Sequence, residues 1–512
     1  MASVVVIGAG IGGIAAAARL ARQGYQVTVV EKNGGAGGRC DHLVKDGHHF
    51  DTGPTLFLMP EIIAQAFVDL GERMEDHLDL RRIDPTYHIT YGDGSIIELT
   101  SDLNALQTQL EAIEPDSFGG LMRYLDEGRR HYELVFSQIA GRNFAHALEY
   151  FTPKSLLLIL KLKALARHYS NLGNYFADER LRIAFSFQDM YVGCSPYEAP
   201  ATYSLLQYAE LAGGVWYPTG GMVRLVEALT SIAAKNGVRF AYNAPVERIR
   251  VNGRQARGVT LADGREIEAD VVVANADLPY VYRHLLPDDG MTRRLQRKKY
   301  TSSTVTFCWG VGKRYPQLGA HNLFIASDFR RSMEQICRGL TLPDEPSFYV
   351  HAPARIDASM APDGQDTLTV VVPVGHIDDG VQNGDGVQNG EGVQNGDHRS
   401  GEPQDWDAMR RRARRFVLQR LADAGVPDLE GQIKFEVAIT PLDWQNRYNL
   451  TKGSSYGLSH SVLQMGYLRP QNRHARYRNL YFVGASTHPG AGLPTVLLSA
   501  RLACERIVGM ER

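Results

Sequence analysis

Val4-Val5-Val6-Ile7-Gly8-Ala9-Gly10-Ile11-Gly12-Gly13 stands almost at the start of the chain, and the expected architecture follows from it. Four consecutive apolar residues bounded by glycine read as a short strand buried on both faces. A helical pattern runs from about Ile14 to Gln23, Gly24 supplies a stop, and Val27–Val30 reads as a second strand ending at Glu31. The whole is a βαβ unit. The uncharged run from Ser3 to Ala18 could be mistaken for an export signal, but the basic segment that opens such signals is missing.

Each glycine has a physical task in this unit. Gly8 permits the tight turn out of the strand, Gly10 lets backbone N–H groups approach a pyrophosphate at the positive helix end, and Gly13 allows close helix–strand packing. Glu31 follows Gly13 by 18 residues, where a carboxylate can accept from both ribose hydroxyls. Dinucleotide binding is the expectation.

Working outward, Gly34-Gly35-Ala36-Gly37-Gly38-Arg39 forms a second glycine cluster ending in a cation. That pattern fits a flavin dinucleotide, where more backbone approaches the phosphates and arginine adds charge-assisted contacts. Asp51-Thr52-Gly53-Pro54-Thr55 is a compact turn. Ala244-Pro245-Val246 precedes a strand at Ile249–Val251, and Asp270–Ala274 is a strand running into the polar tip Asn275-Ala276-Asp277. Near the end, Asn479–Gly484 reads as a last strand that enters Ala485-Ser486-Thr487-His488-Pro489-Gly490 and then a helix over about Thr495–Val508. Pro494 suits a first helical turn.

These motifs, in this order over nearly the whole chain, resemble the FAD-dependent carotenoid desaturases of the bacterial and fungal phytoene desaturase type. Gly214-Val215-Trp216-Tyr217-Pro218-Thr219-Gly220-Gly221-Met222 adds to the likeness, and the Thr487–Gly490 segment is particular to the carotenoid branch. The resemblance implies that Gly8, Gly10, Gly12, Gly13, Glu31 and the adjoining Lys32 hold the ADP half of FAD. Gly38, Arg39, Gly53, Pro54 and Thr55 would lie along the pyrophosphate and flavin edge, and Val246 would pair through its backbone with the adenine. Gly484, Ala485, Thr487, His488, Pro489 and Gly490 would lie near the ribityl chain and the isoalloxazine. Ser486 and Thr487 stand where flavin amine oxidases can carry an anchoring cysteine, so the FAD is expected to be non-covalent.

The implied reaction removes a hydride and a proton from an acyclic precursor such as phytoene, diapophytoene or zeta-carotene. No side chain accepts a hydride, so the cofactor carries that step; no catalytic side chain is assigned. A quinone or oxygen would reoxidise the flavin. The alternatives are an isomerase, ketolase or saturase of carotenoids on the same scaffold, then a flavin amine oxidase. A prenyl-lipid chaperone sharing the glycine fold without flavin is a rival from another class.

Composition agrees with an ordinary globular protein. The 512 residues are 44% hydrophobic, and 55 Lys+Arg against 57 Asp+Glu give a net charge of −2, no reason to expect nucleic acid. Five scattered cysteines without a CxxC pair point to a reducing compartment and away from a structural zinc site. Asp41, His42, His48 and His49 match no metal-ligand spacing, and no metal is expected.

Lys154–Arg167 is a leucine-rich stretch far shorter than the ~18–20 apolar residues that span a bilayer. Read as one helix, it suits either a core helix with a charged rim or one lying in the membrane interface with Lys161, Lys163 and Arg167 meeting anionic lipid, and the implied bilayer-dissolved substrate favours the second. The expected location is the cytoplasmic side, peripherally membrane-associated, where a lipophilic polyene dissolves. Residues 379–396 repeat the hexapeptide Asp-Gly-Val-Gln-Asn-Gly three times with one Asp/Glu exchange, a surface insertion taken as 379–398. Arg410–Arg415 begins a helix with a cationic face.

The expected fold is therefore α/β, with a discontinuous Rossmann-like FAD-binding domain from 1–70, 215–290 and 460–512. A β-rich substrate domain comes from 71–115 and 291–459, and a helical, membrane-facing lobe from 116–214.

Overall fold

The computed structural model describes residues 2–144, 147–150, 152–378 and 404–509. The hexapeptide repeat lies outside them.

A five-stranded parallel sheet carries the glycine motifs, in the order Leu480–Phe482, Val271–Ala274, Ser3–Ile7, Gln26–Val30 and Arg239–Ala241. Val4, Val5, Val6 and Ile7 are all buried because helices or loops cover both faces of the central strand. The first helix runs Ile11–Arg22, three residues earlier than the sequence pattern suggests, so Gly12 and Gly13 belong to its first turn. Ala15, Ala16, Ala17 and Ala18 are each at most 1% exposed, since the helix lies between the sheet, the helix Val223–Lys235 and the last helix, Leu493–Gly509. Small side chains let these backbones approach.

A seven-stranded sheet forms the second layer, in the order Ile433–Ile439, Ser303–Val311, Asp366–Val374, Phe348–His351, His321–Phe324, Tyr87–Thr90 and Ile96–Leu99. It is antiparallel except where His321–Phe324 meets Tyr87–Thr90. Every residue of Ser303–Val311 is buried, which makes this strand the sheet's spine. Helices between Ser117 and Gly213 form a third, helical part around Leu121, Tyr124, Phe176 and Phe185.

The leucine-rich stretch is not one helix. Pro153–Lys161 is helical, Thr152 caps it by accepting from Ser155 N–H, and Lys163 adopts a left-handed backbone with φ 47° that ends it. Lys163 is also turned inward: its ammonium pairs with Glu127 at 2.5 Å and donates to Asn171 at 3.0 Å. The arginine run sits inside a longer helix, Trp406–Asp423, with Arg410 and Arg414 both paired with Glu436. Asp41 is likewise engaged, accepting from Arg447 and from the Tyr448 hydroxyl. His48 is buried between Thr367 and Gln365.

Candidate active site

The first helix is preceded by Gly10, which has no side chain to cap it, and so its leading N–H groups are free to meet an anion. A Cβ on Gly13 would lie 2.1 Å from the Gly8 carbonyl oxygen, and Gly8 itself has φ +95°. These two positions exclude any other residue. Across from them, Gly37 N–H donates to Ala9 O at 2.8 Å, and a Cβ on Gly38 would come within 3.2 Å of Gly10 Cα. The second glycine cluster thus packs directly on the first. Gly53 closes the same corner, because a Cβ there would sit 1.8 Å from Arg39 O.

Glu31 is 6% exposed, and its two carboxylate oxygens accept from Ala9 N–H and Asn33 N–H, each at 2.8 Å. Ala244 N–H donates to the Glu31 carbonyl oxygen, which brings the segment leading to Val246 beside this acid. Lys32 turns elsewhere: its ammonium donates to Asn446 O and Asn449 Oδ1. Arg39 is half-buried and donates to Ser455 O at 2.8 Å, and desolvation holds its pKa below the ordinary value against the pull of Asp277, Tyr456 and Tyr448.

A cavity of about 520 Å³ opens between the parallel sheet, the seven-stranded sheet and the helical part. Gly10, Gly12, Arg39, Gly53, Pro54, Thr55, Gly484, Ala485, Thr487, Pro489 and Gly490 all line it. Gly8, Gly13, Glu31, Lys32, Gly38 and Val246 stand behind that wall or away from it. His488 is turned from the cavity: its Nε2 donates to Arg142 O at 3.1 Å, and its ring meets Phe144 edge-on. Burial depresses the His488 pKa to about 4, so the ring is neutral and ties the loop to the helical part. The other end of the cavity is hydrocarbon, with Leu58, Met59, Phe136, Ile139, Leu205 and Leu206 among its lining.

Three residues outside the glycine motifs hold the site together. Asn275 follows the strand Val271–Ala274 and donates to Gly8 O at 3.3 Å, with its amide against Gly10, Gly12 and Gly13. Asp277 accepts from Ser486 Oγ at 2.7 Å and from Thr451 N–H at 3.0 Å. Arg469 is 1% exposed and donates to the carbonyls of Thr487, Ser459, Gln464, Leu458 and Ala485. Burial lowers its pKa to about 10, which leaves it charged at neutral pH. The sequence shows Asn275 and Asp277 only as a polar tip after a strand, and carries no local signal for Arg469. Asp51 joins the compact turn to the Gly214–Met222 segment, accepting from Tyr217 Oη at 2.6 Å and Met222 N–H at 2.9 Å. Desolvation raises its pKa to about 6.

Two glycine cradles, two helix N-termini and one arginine facing a common space form a donor set suited to a dinucleotide diphosphate. The acid at the end of the second strand suits its ribose.

Comparison with known proteins agrees. Residues 11–383 match the family described as flavin containing amine oxidoreductase. The zeta-carotene-forming phytoene desaturase of Myxococcus xanthus is 44% identical over 507 residues, covering 99% of this chain and 93% of that protein. The phytoene desaturase of Fusarium fujikuroi is 41% identical over 514 residues, covering 99% and 89%. The solved structure of putrescine oxidase bound to putrescine aligns with a TM-score of 0.63 and 16% identity, covering 99% of each chain, a likeness of fold alone.

Proposed function

This chain belongs to the family of flavin containing amine oxidoreductases, and within it we propose an FAD-dependent desaturase of phytoene or a related acyclic carotenoid precursor. The observation that carries this reading is the cavity itself. One end is a glycine cradle with Arg39, and the other is lined by Leu58, Met59, Phe136, Ile139, Leu205 and Leu206. An amine substrate would want a charged or polar partner there; a polyene wants what is present.

In this reading Gly10, Gly12, Gly37, Gly38 and Arg39 hold the pyrophosphate and Glu31 the ribose. Val246, two residues from Ala244, would lie near the adenine, and Gly53-Pro54-Thr55, Gly484–Thr487 and Pro489-Gly490 would flank the flavin. The flavin supplies the hydride-accepting position that no side chain has. Arg469 keeps the Ala485–Thr487 backbone in place, and the hydrocarbon walls orient the polyene and exclude water from the reacting carbons. The cofactor is held without a covalent bond. Ser486 and Thr487 spend their hydroxyls on Asp277 and Gly484 O. Cys40, which lines the cavity, has its thiol pKa pushed far up by burial and is a poor nucleophile.

The protein works from the membrane surface. Leu156, Leu157, Leu160 and Leu165 are 62%, 52%, 61% and 74% exposed, on or just beyond the helix Pro153–Lys161. Leu463, 77% exposed, flanks Met465 and Gly466, which line the cavity. Among the described residues no helix is long and apolar enough to cross a membrane. These leucines suit an interfacial anchor beside the substrate's way in. A quinone or oxygen is the proposed electron acceptor, and a membrane-held site has access to both. Incubating purified protein with phytoene in liposomes and FAD tests the function: new, longer-wavelength polyene absorption supports it, and recovery of phytoene alone contradicts it.

A further inference from the structure

Desaturation, the reading on which this inference rests, takes two hydrogens from neighbouring carbons. One leaves with its electron pair, the share the flavin accepts; the other leaves as a proton and needs somewhere to go. The cavity's carboxylate does not offer an obvious place, because Asp277 is held by Ser486 and Thr451.

Tyr349 does. It lies on the strand Phe348–His351, lines the cavity, and its hydroxyl is hydrogen-bonded on both sides: to Thr55 Oγ1 at 2.8 Å and to His321 Nδ1 at 2.7 Å. Thr55 belongs to the turn that closes the glycine cradle, so this hydroxyl sits where the hydrocarbon wall meets the polar one. His321 is 0% exposed, stacked on His351 with ring centroids 4.8 Å apart, and its Nε2 is buried without a hydrogen-bond partner among the described residues. A buried, half-satisfied imidazole behind a cavity hydroxyl is the arrangement of a base acting through a relay.

We propose that the Tyr349 oxygen takes the proton from the substrate carbon while the Tyr349 hydroxyl proton passes to His321 Nδ1. The C–H bond breaks and its electron pair becomes the second bond of the new double bond. The Tyr349 O–H bond breaks as another forms from the substrate proton, and His321 becomes imidazolium. Burial and the neighbouring His351 hold the His321 pKa well below its usual value. A weak base suffices here, because a carbon beside one that has lost hydride is strongly acidic. The same burial returns the proton through Tyr349 when product leaves and water reaches the wall. Tyr349 is the catalytic residue, and His321 is its positioning partner.

The test uses the FAD-loaded enzyme with phytoene liposomes, following anaerobic flavin bleaching in wild type, Tyr349→Phe, His321→Asn and the double variant. Each single change should slow the maximal rate by on the order of 10²-fold with half-saturating phytoene unchanged. The double variant should be no slower than the slower single one, because the two act as a unit. A Tyr349→Phe rate within about threefold of wild type, or effects that multiply in the double variant, overturns the proposal. Should His321→Asn fail to fold, Tyr349→Phe, which removes one oxygen, decides alone. A readout independent of turnover is ¹⁵N NMR of histidine-labelled holoenzyme: His321 Nδ1 should be an unprotonated acceptor, and a proton on Nδ1 contradicts the relay. Failure of the wild type to bleach sinks the desaturation reading instead, and is told apart by that result.

Discussion

Arg469 Nε donates to the carbonyl oxygen of Thr487 at 2.9 Å, from a side chain that is 1% exposed. Its remaining donors reach Ser459, Gln464, Leu458 and Ala485, so one cation fixes both the Leu458–Gln464 segment and the Ala485–Thr487 turn. Arg469→Met leaves these buried carbonyls without a donor. The expected loss is on the order of 3–5 kcal/mol of stability, together with weaker FAD retention. Thermal melts of apo- and holoprotein check this, and an unchanged melting temperature would show the arginine to be dispensable. Arg469→Lys, with fewer donors in a different geometry, should fall between the two.

Glycine substitutions separate the cradle from its surroundings. Gly13→Ala places a methyl 2.1 Å from Gly8 O, and Gly53→Ala places one 1.8 Å from Arg39 O. Both should abolish flavin retention or folding. Gly35→Ala meets nothing within 4 Å and should be neutral. Flavin content per mole of purified protein reads all three, and a yellow, fully loaded Gly13→Ala protein would contradict the packing described.

Much of this was legible in the sequence. The run Val4–Gly13 announces its strand, turn and helix because each step is local chemistry: an apolar run, then glycines where backbone must approach. Helix ends were displaced where glycine obscured them, since Gly12 and Gly13 read as loop yet sit in the first helical turn. His488 misled for another reason. A motif shows which residues share a loop, not which way each ring turns, and this one is bonded to Arg142 O in the helical part. Lys154–Arg167 does not run as one helix, and Lys163 turns inward to Glu127, a partner distant in sequence. Arg469, Tyr349 and His321 were invisible for the same reason: their roles come from neighbours brought together only by folding.

Glu210 sets a pH dependence of stability. It is buried, accepts from Tyr87 Oη and Gln188 Nε2, and desolvation raises its pKa from 4.5 to about 8. A carboxyl with a raised folded pKa contributes stability that is full below the unfolded value and is lost as pH rises through the folded one. Asp51, raised to about 6, acts in the same direction at lower pH. Between about pH 6.5 and 8 the unfolding free energy should therefore fall by up to ~1.4 kcal/mol per pH unit from Glu210, and the melting temperature should fall with it. Glu210→Gln should flatten that fall. An identical slope in the variant would contradict the assignment.

The exposed leucines predict a membrane phenotype separable from cofactor binding. Replacing Leu156, Leu160 and Leu165 with serine removes apolar surface that makes no core contact, so folding and flavin content should hold. Co-sedimentation with phospholipid vesicles should drop severalfold, and turnover of vesicle-borne phytoene with it. Unchanged sedimentation would place the membrane contact elsewhere.

The visible spectrum of the FAD-loaded protein under anaerobic conditions, before and after adding phytoene in liposomes, is the decisive measurement of desaturation. Loss of the oxidised flavin band, with one new double bond formed per flavin reduced, is the expected result. A flavin that stays oxidised while phytoene is recovered unchanged would contradict it.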